Sequence, residues 1–440
     1  MISFLTTIFL LLNAPANQLE FKDKVYGDNI RSVRFHVTGL LVSYPIMQLG
    51  STEALYLAFD DLDADSKYYR YTVIHCDKNW QRSRLDFNEY VYGFEGEEID
   101  MFNRSKNTVV PFTHYSLLFP NADFDITKSG NYLLVIYLDD PSYPVITRRF
   151  MVADSQVVIH AAMQRPADVS KSNTHQEIDF EVSAEYLRVL DPKNDIYAVV
   201  MQNGRWDSAL RGIRSKFERG HNLVFDYQDK IVFPAGLDFR NMDIRSTLYR
   251  SRDVFEIRRE KGRNRIIAEI DEPRTFKRYL SEIDVDGKFV IRSSDDRRFS
   301  TVTTLDEDAL GQIVEKTNYV DITEHNLVAD YLDVLFTLKV KPAYDSDVFI
   351  FGGVTDWSLQ EKFRMTYNPE YEAYFADVLL KQGFYDYIYV IANSDGTADE
   401  MTIEGNWYEA TNDYTILIYH TSFGARYDEL VGVLTVPSAR

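Results

Sequence analysis

The chain has 440 residues, with 45% hydrophobic and 26% charged positions and only 20 Gly and 13 Pro. At roughly 100 to 200 residues per domain it is too long for one core, and this composition excludes a disordered chain, collagen and low-complexity filament. Sixty-eight acidic against 48 basic residues leave a net charge of -20, which opposes attraction to phosphate backbones, so nucleic acid is not an expected partner. The aromatic content, 14% with 30 Tyr and 28 Phe, suits pleated half-buried surfaces. The expected fold class is mainly β, in tandem antiparallel β-sandwich domains.

Residues Ile2 to Leu12 are apolar apart from Ser3, Thr6 and Thr7, a run shorter than the roughly 20 residues of a spanning helix. Ala14-Pro15-Ala16 follows with the small residues of a cleavage site, so 1–16 reads as a signal peptide, although its start has no Lys or Arg. No cysteine succeeds the run and no later stretch is long enough to enter a bilayer, so neither a lipid anchor nor direct membrane insertion is expected.

Strand candidates then appear at Ile30 to Val37, Glu53 to Phe59, Tyr68 to His75, Phe112 to Phe119, Asn131 to Leu138 and Thr147 to Val152. Their spacing predicts a first sandwich over 17–154. Within it Tyr132 to Tyr137 is apolar at both alternations, as in a central strand covered on two sides. Val157 to Ile159, Glu177 to Val182 and Ile196 to Met201 open a second sandwich, assigned to 155–292, with Asp284-Val285-Asp286-Gly287 as a hairpin turn. Residues 293–327 read as a linker with a short helix over Asp306 to Glu315, and 328–440 as a third sandwich.

Charge divides unevenly: Arg245 to Arg278 holds 11 basic and 6 acidic residues, Asp306 to Arg440 holds 8 and 24. Either these are separately solvated faces, or the two regions attract each other or address a bipolar partner.

No residue pattern supplies a catalytic centre. Cys76 is the single cysteine and follows His75 in a strand candidate, where consecutive side chains point to opposite faces, so a buried structural thiol is expected. Asp61, Asp63 and Asp65 match the start of a calcium loop, but Ser66 and Thr72 stand where Gly and Glu are needed. The eight histidines form no metal-ligand spacing, and no G-x-S-x-G or phosphate loop occurs. The reading is a protein that is not an enzyme, with no cofactor and no metal. A glycosidase's two acids are rarely recognisable by spacing, and the sequence offers nothing for one.

Two features are candidate partner contacts. Tyr385, Tyr387 and Tyr389 alternate, so one strand face carries three phenols, to fill a sandwich core, the commoner use, or to stack on sugar or protein. Gln202-Asn203-Gly204-Arg205-Trp206-Asp207 delivers Arg205 and Trp206 at a glycine turn, either as an interface hot spot or as an Arg-Asp pair under a capping Trp. Trp357 joins them.

Val348-Phe349-Ile350-Phe351 before Gly352-Gly353, then Thr355-Asp356-Trp357, and Gln382-Gly383-Phe384-Tyr385 before a strand resemble the early-set, immunoglobulin-like domains that bind glycogen or sit beside glycoside-processing enzymes. A wider set of strings runs through the chain: Asn29-Ile30-Arg31-Ser32-Val33, Ser43-Tyr44-Pro45-Ile46, Phe59-Asp60-Asp61-Leu62, His75-Cys76-Asp77 with Trp80, and Ser129-Gly130-Asn131-Tyr132. It continues through Thr147-Arg148-Arg149-Phe150, Thr174-His175-Gln176-Glu177, the Gln202 to Asp207 string, Asp243-Ile244-Arg245-Ser246, Leu380-Lys381-Gln382-Gly383 and Asn412-Asp413-Tyr414. Together these resemble the type IX secretion system plug protein family of Bacteroidota. The resemblance implies a periplasmic protein, peripheral to the outer membrane through its partner. That partner is the large outer-membrane β-barrel translocon, whose periplasmic mouth the protein closes when no substrate is passing. The alternative, from the early-set resemblance, is a periplasmic glycan-binding or glycan-processing protein.

Overall fold

A computed structural model describes residues 18–259, 263–295, 306–307, 313–314 and 319–438. The expected signal peptide lies outside them, as does most of the helix expected over 306–315, where the described pairs Asp306–Glu307 and Ile313–Val314 form a short antiparallel ladder. The helix found near there is Tyr319–Val328. No helix among the described residues is long and apolar enough to cross a membrane.

Three β-sandwich lobes make up the fold. In the first, strands Ile30–Val37, Leu55–Asp61, Thr113–Phe119 and Met101–Arg104 form one sheet, and Ile146–Ala153, Gly130–Tyr137 and Arg70–Cys76 the centre of the other. Leu55, Leu57, Phe59, Tyr132, Leu134, Ile136 and Phe150 fill the space between. Gly130–Tyr137 is buried at every position. Its even-numbered face lies in that core, while Leu133, Val135 and Tyr137 pack on a second lobe with Val199, Met201, Leu417 and Tyr419. A strand apolar at both alternations is what such double cover requires.

The second lobe sets Val158–Gln164, His175–Ser183 and Asn222–Phe225 against Ile196–Gln202, Asp413–His420 and Glu429–Pro437. The third sets Arg240–Asp243, Gly383–Ala392, Phe289–Ile291 and Val348–Phe351 against Val254–Arg259, Asn264–Asp271, Tyr331–Lys339 and Ala373–Lys381. Most neighbours are antiparallel, but Asn264–Asp271 runs parallel to Tyr331–Lys339.

This partition corrects the expected division at 155–292 and 328–440. The chain leaves the second lobe by Arg240, whose strand pairs with Gly383–Ala392, and its C-terminal hairpin returns to pair Asp413–His420 with Ile196–Gln202 in seven-residue register. Turn signals mark where strands end, whereas the partner of a strand is set by long-range burial. Asp284 to Gly287 is a turn, with Asp286 and Gly287 at positive φ, but it precedes Phe289–Ile291 rather than joining two paired strands.

Candidate functional site

The strings that carry the resemblance converge where the three lobes meet. Between the first and second lobes the seam is apolar: Cys76, Trp80 and Leu133 pack against Trp206, Leu417 and Leu430, with Trp80 and Trp206 edge to face at 4.9 Å. Arg149 lies 5.3 Å from the Trp80 ring and 5.5 Å from that of Trp206. Tyr419 donates its hydroxyl to Asn131 at 2.7 Å, and Lys78 meets Asp428 at 3.3 Å. Gly204, at φ 64, faces Tyr44 so closely that a Cβ would fall 1.5 Å from the ring. Only glycine permits both the left-handed backbone and that approach.

Between the first and third lobes the seam is polar. Asp60 is paired across the strands with His114, and both point away from the first core. The Asp60 carboxylate accepts from His114 Nδ1 at 2.6 Å and from the Tyr331 hydroxyl at 2.7 Å, and meets the Lys381 ammonium at 2.5 Å. The Tyr331 hydroxyl also bonds Ser32 at 2.9 Å. Burial opposes charge on Asp60, but Lys381 and His114 outweigh it and hold the carboxyl at about 2. Burial likewise draws Lys381 down to about 8 against the pull of Asp60, which leaves an ion pair at neutral pH. Nearby, Asp330 accepts from the backbone N–H groups of Val109 and Val110 at 2.7 and 3.0 Å.

The second and third lobes meet through Arg205, which forms 2.6 Å ion pairs with Asp207 and with Glu400. An amide cluster at the edge of the second lobe fastens the chain where it returns. Asn412 donates to Gln176 at 3.1 Å and to the Ala235 carbonyl at 2.9 Å, and accepts from Asn203 at 2.9 Å. A cleft of about 670 Å³ remains at the junction, walled by all three lobes.

Of the residues singled out from sequence, Arg205 and Trp357 come together, the guanidinium 4.2 Å from the indole centroid. Trp206 packs edge to face on Trp80 in the apolar seam and also borders the junction cleft. Of the two uses open to the tyrosine stripe the structure shows the core one, and the candidate partner contact is not on the surface: Tyr385, Tyr387 and Tyr389 are buried in the third core. Tyr385 stacks on Phe289, and Tyr387 and Tyr389 both donate to Asp271, at 2.7 and 2.8 Å. Period-two spacing puts three rings on one face, but the facing sheet decides whether that face is wet. Arg205 and Trp206 are buried too, so in this fold both act within seams.

Other expectations resolve locally. His75 packs on Tyr132 while Cys76 faces the opposite seam, and burial pushes the thiol well up. The Lys67 ammonium lies among the three aspartates, paired most closely with Asp63, 2.8 Å from Asp61 and 3.6 Å from Asp65. The basic Arg245 to Arg278 stretch and the acidic C-terminal part as far as Glu404 are neighbours in one lobe. Arg263 pairs with Asp333, Arg265 with Asp377 and Arg274 with Glu404, so the two regions attract each other. Sequence reading missed Asp60, His114, Tyr331 and Lys381 as one network. Asp60 and Lys381 lie in two strings of the resemblance, with no indication that those strings would touch, and His114 and Tyr331 lie in none.

Residues 30–154 match the first domain of the type 9 secretion system plug proteins, and this places the first lobe in that class. The chain belongs to one family with a hypothetical protein from Parabacteroides merdae ATCC 43184, known from its crystal structure: 31% identity over 96% of this chain and 100% of that one, with a TM-score of 0.85. No functionally curated protein matches the chain.

Proposed function

We propose that the protein is a non-enzymatic plug that docks on the periplasmic mouth of the outer-membrane β-barrel translocon of type 9 secretion and closes it while no substrate passes. The observation that carries this is the match of residues 30–154 to the plug protein first domain. The lobes support it physically. A body whose parts are fixed by buried seams covers an opening without the ordering losses of a flexible chain.

The docking face proposed is the outer edge of the third lobe. Two loops there, tied by the 2.7 Å Arg252–Glu282 pair, present Leu248, Tyr249, Phe276, Leu280 and Ile283 to solvent, Phe276 being 99% exposed. Exposed apolar groups beside arginines suit a partner with an acidic, partly apolar rim, and a stable seal needs on the order of 1,000 Å² of buried surface. A glycan reading needs aromatics exposed along a groove, and the burial of Tyr385, Tyr387 and Tyr389 weighs against it.

The test is capture from detergent-solubilised outer membranes with the tagged mature chain. Recovery of a very large barrel protein, lost when substrate occupies it and lost with a Phe276→Ser/Leu280→Ser variant of unchanged melting temperature, is the expected result. Recovery of oligosaccharide without any barrel protein sinks the proposal.

A further inference from the structure

The junction cleft has a charge opposite to that of the molecule. Seven of its lining side chains are cationic and three acidic, in a chain of net charge -20. Each acid is already engaged: Asp23 by Arg149 at 2.7 Å, Asp356 by Arg148 at 3.1 Å and Asp207 by Arg205 at 2.6 Å. Arg34 and Arg211, both lining the cleft, have no carboxylate partner among the described residues. Arg34 is only 8% exposed, and its Nε and Nη2 atoms find no hydrogen-bond acceptor. Arg211 donates to the Trp206 carbonyl at 2.6 Å, and partial desolvation of its guanidinium together with the neighbouring Arg149 disfavours its charge. A buried cation such as Arg34 without counter-charge is costly unless something neutralises it, and Arg211 stands at the exposed rim of the same cleft. Trp206, Trp357 and Phe289 supply flat apolar surface beside polar side chains such as His36, Asn203 and Gln360, and the volume of about 670 Å³ is that of a small-molecule site.

We propose that this cleft binds a small organic anion, a carboxylate or phosphate group joined to a flat apolar body. The oxyanion takes the unpaired charge of Arg34 and Arg211, with charge-assisted hydrogen bonds, and the ring lies along the tryptophans. Since all three lobes wall the cleft, such a ligand ties them together and raises the melting temperature. This inference stands apart from the plug reading, and failure of barrel capture leaves it untouched.

Titration calorimetry and thermal melts of the full chain, at low salt, with phenyl phosphate, benzoate, inorganic phosphate and phenol test it. One or both of the ring-bearing anions bind at least about tenfold tighter than inorganic phosphate or phenol, raise the melting temperature and change tryptophan fluorescence. The stronger of the two identifies the oxyanion. Arg211→Gln weakens binding roughly tenfold, Arg34→Gln does the same, and Arg265→Gln on the outer sheet changes nothing. If Arg34→Gln fails to fold, Arg211→Gln carries the test. Equal affinity for phenol, no binding of either ring-bearing anion up to about 10 mM, or unchanged affinity in Arg211→Gln overturns the proposal.

Discussion

The first lobe is held on its two sides by opposite chemistry. Toward the second lobe it presents Leu133, Val135 and Trp80, a seam built like a domain core. Toward the third it presents Asp60 and His114, met by Lys381 and Tyr331. Apolar burial is non-directional and degrades gradually, whereas a buried ion network holds only while every member has its partner. The contrast teaches that one body can have one seam that tolerates change in conditions and one that responds to it.

The largest effect is expected from breaking the network on one side. Lys381→Met leaves Asp60 buried beside neutral partners and costs about 3–5 kcal/mol in denaturant unfolding. A double variant, Asp60→Leu with Lys381→Met, recovers much of that loss. Additive losses would mean that the two groups do not act as a pair. The apolar seam is expected to give about 2–4 kcal/mol for Leu133→Ala, with no dependence on pH.

Acid sharpens the comparison. The Asp60 carboxyl sits at about 2 in the folded protein against an ordinary 3.8, so its contribution is present above pH 3.8 and is lost as pH falls toward 2. Asp286, at the same junction, behaves oppositely. Burial, and then Asp413, raise it to about 7 from 3.8, so stability is greatest below 3.8 and declines as pH rises toward 7. Asp286→Asn, which also suits the positive φ there, is expected to raise the melting temperature at pH 8 and leave it unchanged at pH 3.5. An equal shift at both values would refute ionisation as the cause. The smallest effect belongs outside both seams: Arg265→Ala removes an outer-sheet pair with Asp377 and is expected to cost under about 1 kcal/mol.

Much of this was present in the sequence. Strand existence, the β-sandwich class, the doubly covered strand at Tyr132 to Tyr137 and the separation of His75 from Cys76 all follow from period two, which is a local property. The strings of the resemblance pointed to the plug family, and the match over 30–154 agrees. What the tertiary structure decided was pairing and facing. Asp413–His420 falls within the span expected for the last domain, yet it takes Ile196–Gln202 as neighbour, and the three tyrosines lose their candidate surface because the sheet carrying Asp271 covers them. The link of Asp60 to Lys381 spans 321 positions, and the unpaired Arg34 becomes notable only when Trp206 and Trp357 are brought to the same cleft. Local periodicity fixes which side chains share a face. Which surface covers that face depends on burying the whole chain at once, a condition that no window of sequence contains.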